Sequence, residues 1–122
     1  MKLPGHHQTV MPYLIVKDAE GFLKFIQEIF QAVEIMKVPN PDGGLMHAEA
    51  MIGTSTIMFA GVTEYYQASP INLFIYIEHV DAVYNKALAA GAVSVREPQQ
   101  LDYGYSGAVT DPYGNTWWLT AP

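Results

Sequence analysis

The chain has 122 residues, half of them apolar and 12% aromatic, which fits one compact globular domain, and no apolar run approaches the roughly 18 residues of a membrane-spanning helix. Six basic against twelve acidic residues leave a formal charge of −6, which opposes nucleic-acid phosphates and anionic lipid and tolerates a cationic ligand. The absence of cysteine excludes disulfides and thiolate chemistry, and Met1-Lys2-Leu3-Pro4-Gly5-His6-His7 lacks the basic-then-apolar order of a secretory signal, so a cytoplasmic setting is expected.

In chain order, Val10 to Val16 is rich in β-branched and aromatic residues and reads as a strand, with Pro12 marking a start or an edge. Asp18 stands at an N-cap position, and Phe22, Phe25, Ile26, Ile29 and Phe30 recur at helical spacing, so a helix is expected to about Gln31. A strand over Glu34 to Val38 leads into the turn residues Pro39-Asn40-Pro41-Asp42-Gly43-Gly44. Leu45 to Ile52 alternates, with Ala48, Ala50 and Ile52 on one face and His47, Glu49 and Met51 on the other, and Gly53-Thr54 turns it into a strand over Ser55 to Ala60. After the linker, Ile71 to Ile77 reads as a strand. The stripe Val80, Val83, Tyr84, Ala87 and Leu88 then reads as a helix, with Gly91 placed for a left-handed C-terminal turn. Val93 to Arg96 is a short strand, Pro98 to Gly104 a long loop, Tyr105 to Thr110 a strand, Asp111-Pro112-Tyr113-Gly114 a turn, and Asn115 to Thr120 the last strand.

The second half repeats the first at an offset of 61 residues: Tyr13-Leu14-Ile15-Val16 falls on Phe74-Ile75-Tyr76-Ile77, Asp18-Ala19-Glu20 on His79-Val80-Asp81, and Gly53 on Gly114, without a gap. Repeats of this length set the architecture, because a unit too small to bury its own apolar face must pack against its copy. The expected fold is α+β: two βαβββ modules over residues 9–61 and 70–122, joined by a linker at 62–69, forming one domain of residues 1–122 with pseudo-twofold symmetry and an eight-stranded open cup.

Several phrases occur in order along nearly the whole chain: Val16-Lys17-Asp18-Ala19-Glu20, Asn40-Pro41-Asp42-Gly43 with Met46-His47-Ala48-Glu49, Val80-Asp81-Ala82-Val83, Ala89-Ala90-Gly91-Ala92, and Asp111-Pro112-Tyr113-Gly114-Asn115-Thr116-Trp117. With the doubled βαβββ pattern, the chain resembles the vicinal oxygen chelate superfamily of glyoxalases, bleomycin-resistance proteins and extradiol dioxygenases, and within it the PhnB-like subgroup. The resemblance implies a homodimer and four strand positions that hold a divalent metal in the superfamily's enzymes. Those positions map here to Met11, Ile57, Asn72 and Trp118, or to Met58 if the fourth strand slips by one residue. A thioether, an alkyl group, an amide and an indole do not make a site for a hard or borderline dication. No cofactor is therefore expected, and a divalent metal is the alternative.

His47 and Glu49 share one strand face and form the candidate acid/base pair, set against a solvated polar face as the plainer reading. His6 and His7, in a Pro/Gly-containing tail, carry no functional expectation. Tyr13, Phe74, Tyr76 and Trp118 share strand parity with the mapped positions, and Tyr103 and Tyr105 flank the loop before the seventh strand. With Asn72 they form the candidate ligand-binding set, suited to an aromatic or cationic small molecule. That loop, Leu101-Asp102-Tyr103-Gly104-Tyr105-Ser106, holds no arginine, so no anion clamp is expected from it. Small-molecule binding without a metal is the leading expectation. A lyase, isomerase or dioxygenase using His47 and Glu49 is the alternative, and an interaction module whose cup is plugged by Trp118 is the third.

Overall fold

The computed structural model describes residues 1–41 and 43–122; of the turn expected over Pro39 to Gly44, Asp42 lies outside the described residues. The elements run β1 (Tyr13–Val16), α1 (Ala19–Phe30), β2 (Val33–Pro39), β3 (Leu45–Ile52), β4 (Ser55–Gly61), β5 (Asn72–Tyr76), α2 (Val80–Ala89), β6 (Val93–Leu101), β7 (Gly104–Thr110) and β8 (Thr116–Ala121). The chain divides into two compact units, Met1–Ser69 and Pro70–Pro122. Each holds one four-stranded sheet, ordered β1-β4-β3-β2 in the first and β5-β8-β7-β6 in the second. The α+β class and the doubled βαβββ order are therefore as expected from the sequence.

In the first unit, α1 starts where Asp18 accepts a hydrogen bond from the Gly21 amide at 2.9 Å and ends at Gln31 in the left-handed region. Its apolar stripe is buried, and Phe22 meets Phe59 of β4 edge-on at 5.0 Å between ring centroids. Leu14 and Val16 of β1 and Ala48 and Ala50 of β3 complete that core, the alanines being small enough to let the helix approach. Because Ala48 pairs with Phe59 and Glu49 with Met58, the opposite face of the sheet carries His47, Glu49, Met58 and Tyr13. Lys37 reaches round from β2 to Glu20 of α1 at 2.9 Å.

In the second unit, α2 covers the face bearing Val109, Trp117 and Leu119, all buried. Its start lacks the capping aspartate of α1: His79 sits at φ 57° and its side chain caps nothing. Gly91 has φ 103° just past the helix, as its place in the sequence suggested. The Asp-Pro-Tyr-Gly-Asn turn is held by Asp111, whose buried carboxylate accepts from the amides of Tyr113 and Asn115 and from Trp117 Nε1 at 2.8 to 3.0 Å.

Two expectations need correction. The strand β6 does not stop at Arg96 but runs to Leu101, carrying Pro98 within an irregularity of register between Arg96 and Gln99, where the missing proline N–H is tolerated. The connection to β7 is then a tight Asp102-Tyr103 turn into Gly104 rather than a long loop. The offset between copies also varies: Tyr13 pairs with Met58 and Phe74 with Trp118, so first strands are 61 apart but β4 and β8 are 60 apart. Glu49 pairs with Met58 and Ala108 with Trp118, which makes β3 and β7 59 apart. A two-residue Gly53-Thr54 connection in one copy and the longer Asp111 turn in the other absorb the difference.

Candidate functional site

The open face of the first sheet centres on Glu49, which is 4% exposed although it lies on the face away from α1. His47, two residues along β3, places Nε2 2.8 Å from Glu49 Oε2, and His7, from the segment before β1, places Nε2 2.7 Å from Oε1. The second nitrogen of His47, Nδ1, lies 3.1 Å from the Tyr13 hydroxyl, whose ring centroid is 5.6 Å from the imidazole. In the neutral imidazole with Nε2–H donated to the carboxylate, Nδ1 accepts from the Tyr13 hydroxyl, and Tyr13, His47 and Glu49 then form a proton-bearing series. Burial pushes the Glu49 carboxyl up, but the hydrogen bonds from His47 and His7, with their charge, outweigh it and hold the group below its ordinary value. The segment carrying His7 is pinned further: Thr56 Oγ1 donates to the His6 carbonyl, and Gln8 exchanges two bonds with the Thr56 backbone.

The second sheet places a different set on the corresponding face. Following the register from β6 to β5, Arg96, Ala108, Trp118 and Phe74 stand side by side in one row, and Ser106, Thr120 and Tyr76 in the next. Arg96 Nη2 donates to Tyr103 Oη at 3.2 Å and to Ser106 Oγ at 3.0 Å, and Ser106 is bonded in turn to Thr120. The guanidinium carbon lies 5.4 Å from the Trp118 ring centroid, within cation–π range. Trp118 Nε1 donates to Asn72 Oδ1 at 3.0 Å. Phe74 meets Tyr76 at 5.1 Å and Tyr103 at 6.4 Å, and all three rings are more than half exposed. The hydrogen bond from Arg96 leads the influences that hold the Tyr103 phenol below its ordinary value.

The candidate residues of the sequence thus fall into two groups. Tyr13, His47 and Glu49 meet in the first unit; Asn72, Phe74, Tyr76, Tyr103 and Trp118 meet in the second. Tyr105 joins neither. It alternates with Ser106 onto the helix side of β7 and donates to Asp81 of α2 at 2.6 Å, a bond that raises its pKa. Sequence reasoning missed His7 and Arg96. A histidine ahead of the first strand carries no periodicity, and Arg96 sits in a strand whose length was underread, so the guanidinium reaches Tyr103 across a turn read as a loop without arginine. A cavity of about 550 Å³ at the start of α1, lined by Asp18, Asn40, Thr63 and Tyr65 among others, contains none of the candidate residues.

Residues 72–120 match the family described as the Glyoxalase At5g48480-like C-terminal domain. An uncharacterized protein of Mycobacterium bovis is 32% identical over 126 residues, covering 93% of this chain and 83% of its own length. The second unit thus matches a glyoxalase-type domain, and the whole chain has the fold of glyoxalase/bleomycin resistance/dioxygenase proteins. Two solved structures share this fold: a PhnB protein from Bacillus cereus, with TM-score 0.74, 19% identity and coverage of 94% of this chain and 100% of that one, and a glyoxalase/bleomycin resistance protein/dioxygenase family enzyme from Burkholderia phytofirmans, with TM-score 0.72, 23% identity and coverage of 89% and 94%.

The positions mapped to the superfamily's metal ligands do not suit a metal. Ile57 pairs with Ala50 and is buried on the α1 side of the sheet, so the shorter offset gives its place on the open face to Met58. Asn72 and Trp118 hydrogen-bond to each other. Met11 precedes β1. Around Glu49, both carboxylate oxygens are already engaged by imidazole Nε2 atoms, and among the described residues no group of three or more His, Asp or Glu is placed to hold an ion.

Proposed function

We propose that this protein of glyoxalase-type fold binds a small molecule, as a bleomycin-resistance protein would by sequestration, on the aromatic face of its second sheet and without the superfamily's usual metal. One observation carries the reading: Phe74, Tyr76 and Tyr103 remain more than half exposed while gathered around Trp118, where rings that only filled a core would be covered. Thermal-shift screening with small aromatic compounds tests it, because a ligand that binds only the folded state raises the melting temperature. Stabilisation of the wild type that is lost in Tyr76→Ala is the expected result; the same stabilisation in both proteins would remove this face from the reading.

A second reading, an acid/base lyase or isomerase, is favoured by the buried Glu49 between two imidazoles with Tyr13 at the end of the series. Such a series can hold a proton at His47 and relay it to a substrate atom near the Tyr13 hydroxyl. Turnover of a carbonyl substrate that disappears in His47→Gln and persists in Trp118→Phe would select it. The two units are further proposed to fold as one domain of residues 1–122, to pair as a homodimer and to work in the cytoplasm. Exposed apolar side chains on β2 and β6, Val33, Val93 and Val95 among them, support pairing, and light scattering on the eluting protein measures it. No helix among the described residues is long and apolar enough to cross a membrane.

A further inference from the structure

We infer that the ligand of the second sheet carries a carboxylate attached to an aromatic ring, and that Arg96 receives the carboxylate while Trp118, Phe74 and Tyr76 receive the ring. The inference rests on the proposed binding role of this face and adds the class of molecule. Arg96 is an unneutralised cation: no carboxylate lies within ion-pair distance of it among the described residues, in a chain whose acidic residues outnumber its basic ones two to one. What holds it in place is neutral. Tyr103 and Ser106 fix Nη2, the Trp118 ring lies beside the guanidinium carbon, and Nε is buried without any hydrogen-bond partner. A buried donor without an acceptor is exceptional in a folded protein, and Nη1, which no hydrogen bond among the described residues engages, leaves the positioned guanidinium a donor for an acceptor oxygen on the open face.

The neighbouring positions specify the rest of the molecule. Ala108, fully buried, stands between Arg96 and Trp118 in the sheet row and adds no bulk between them, and Phe74 and Tyr76 continue the aromatic surface beyond Trp118. A planar acid lying along this row would place its anionic end at Arg96 and its ring over the aromatic residues. A single guanidinium balances a single negative charge. A phosphate dianion would keep an unbalanced charge in the field of a protein of formal charge −6, so carboxylate is the better match. For the same reason, the cationic guest suggested by net charge alone does not suit this face.

Binding of 2-naphthoate, its neutral amide 2-naphthamide, the cation 2-naphthylmethylammonium and inorganic phosphate, measured by calorimetry, tests the inference. Naphthoate is expected to bind about tenfold or more tightly than the amide, the size of effect that one charge-assisted hydrogen bond produces. In Arg96→Gln the ratio of naphthoate to amide affinity should fall to about one, and Arg96→Lys should keep part of the preference. The Nε–H resonance of Arg96 in the wild type should shift with naphthoate and stay in place with the amide, a readout that does not depend on any variant folding. Equal binding of acid and amide, or a preference for the ammonium compound, overturns the carboxylate assignment and leaves the aromatic site standing. Phosphate displacing naphthoate with equal strength overturns the aromatic-acid assignment in favour of a plain anion. If none of the three ring compounds binds, the proposed function falls together with this inference.

Discussion

Removing the Glu49 carboxylate tests the hydrogen-bond series of the first unit directly. In Glu49→Ala both His7 and His47 lose their acceptor, and a small side chain is left where a nearly fully buried one stood. Hydrogen bonds to a charged group contribute about 1.5–3 kcal/mol each. The histidine side chains are 17% and 24% exposed, so water recovers part of the loss, and the two together should cost about 2–4 kcal/mol. For a chain of this size that is a fall of roughly 6–15 °C in melting temperature. Glu49→Gln should cost less, since its carbonyl oxygen still accepts from one imidazole and the other can change tautomer. The pH dependence has a definite sign. Because the folded state holds the carboxyl below its ordinary value, the ionised group stabilises the fold above that value, and the contribution is lost as pH falls through the lowered folded-state pKa. The stability difference between wild type and Glu49→Gln should therefore shrink on acidification. Urea unfolding followed by circular dichroism at neutral pH and at several acidic values measures both quantities. Glu49→Ala within about 0.5 kcal/mol of wild type, the scatter of ordinary surface changes, would refute the reasoning.

Other substitutions probe the scaffold and the edge of the site. Phe59→Ala removes a fully buried ring in contact with Phe22 and should cost about 3–5 kcal/mol in chemical denaturation. Asp111→Ala strands the Trp117 indole and two turn amides, and should cost about 2–4 kcal/mol, with a visible change in the Trp117 indole resonance. Gly104→Ala should be among the most damaging small changes, because an added Cβ would lie 2.3 Å from the Ala121 carbonyl oxygen at φ 140°; soluble yield and melting temperature report it. Tyr13→Phe removes one solvent-exposed hydroxyl from His47 and should change stability by less than about 1 kcal/mol. Turnover that falls in this variant at unchanged stability would favour the acid/base reading.

The fold was legible because three kinds of local signal agree. Asp18 at a helix start, the Phe22 to Phe30 stripe and the alternation of Ala48 and Ala50 against His47 and Glu49 each depend on neighbours within a few residues. The face of β3 and the N-cap of α1 followed from them directly. Side chains whose surroundings are set by distant segments were harder to read. Glu49 looked like a surface residue because the group that covers it, His7, comes from 42 positions away in a segment with no pattern of its own. Ile57, rather than Met58, maps to a ligand position only when a constant offset is carried across a turn that is longer in the second copy. Arg96 carries no such local signal, because Pro98 reads as the end of its strand, whereas the register irregularity beside the proline lets the strand continue. The two candidate sites look alike in the sequence, as repeats of one unit, but one centres on a carboxylate flanked by imidazoles and the other on a guanidinium beside an indole.

The two tryptophans allow the binding role of the second sheet to be examined within a single sample. Trp117 is buried with its indole N–H on Asp111, and Trp118, on the opposite face, donates to Asn72 among the exposed rings. In a nitrogen–proton correlation spectrum titrated with 2-naphthoate, the Trp118 indole resonance should move in a saturable way while that of Trp117 stays in place. A Trp118 resonance unmoved at saturating concentrations, or one that moves no more than Trp117, would contradict a ligand site on this face.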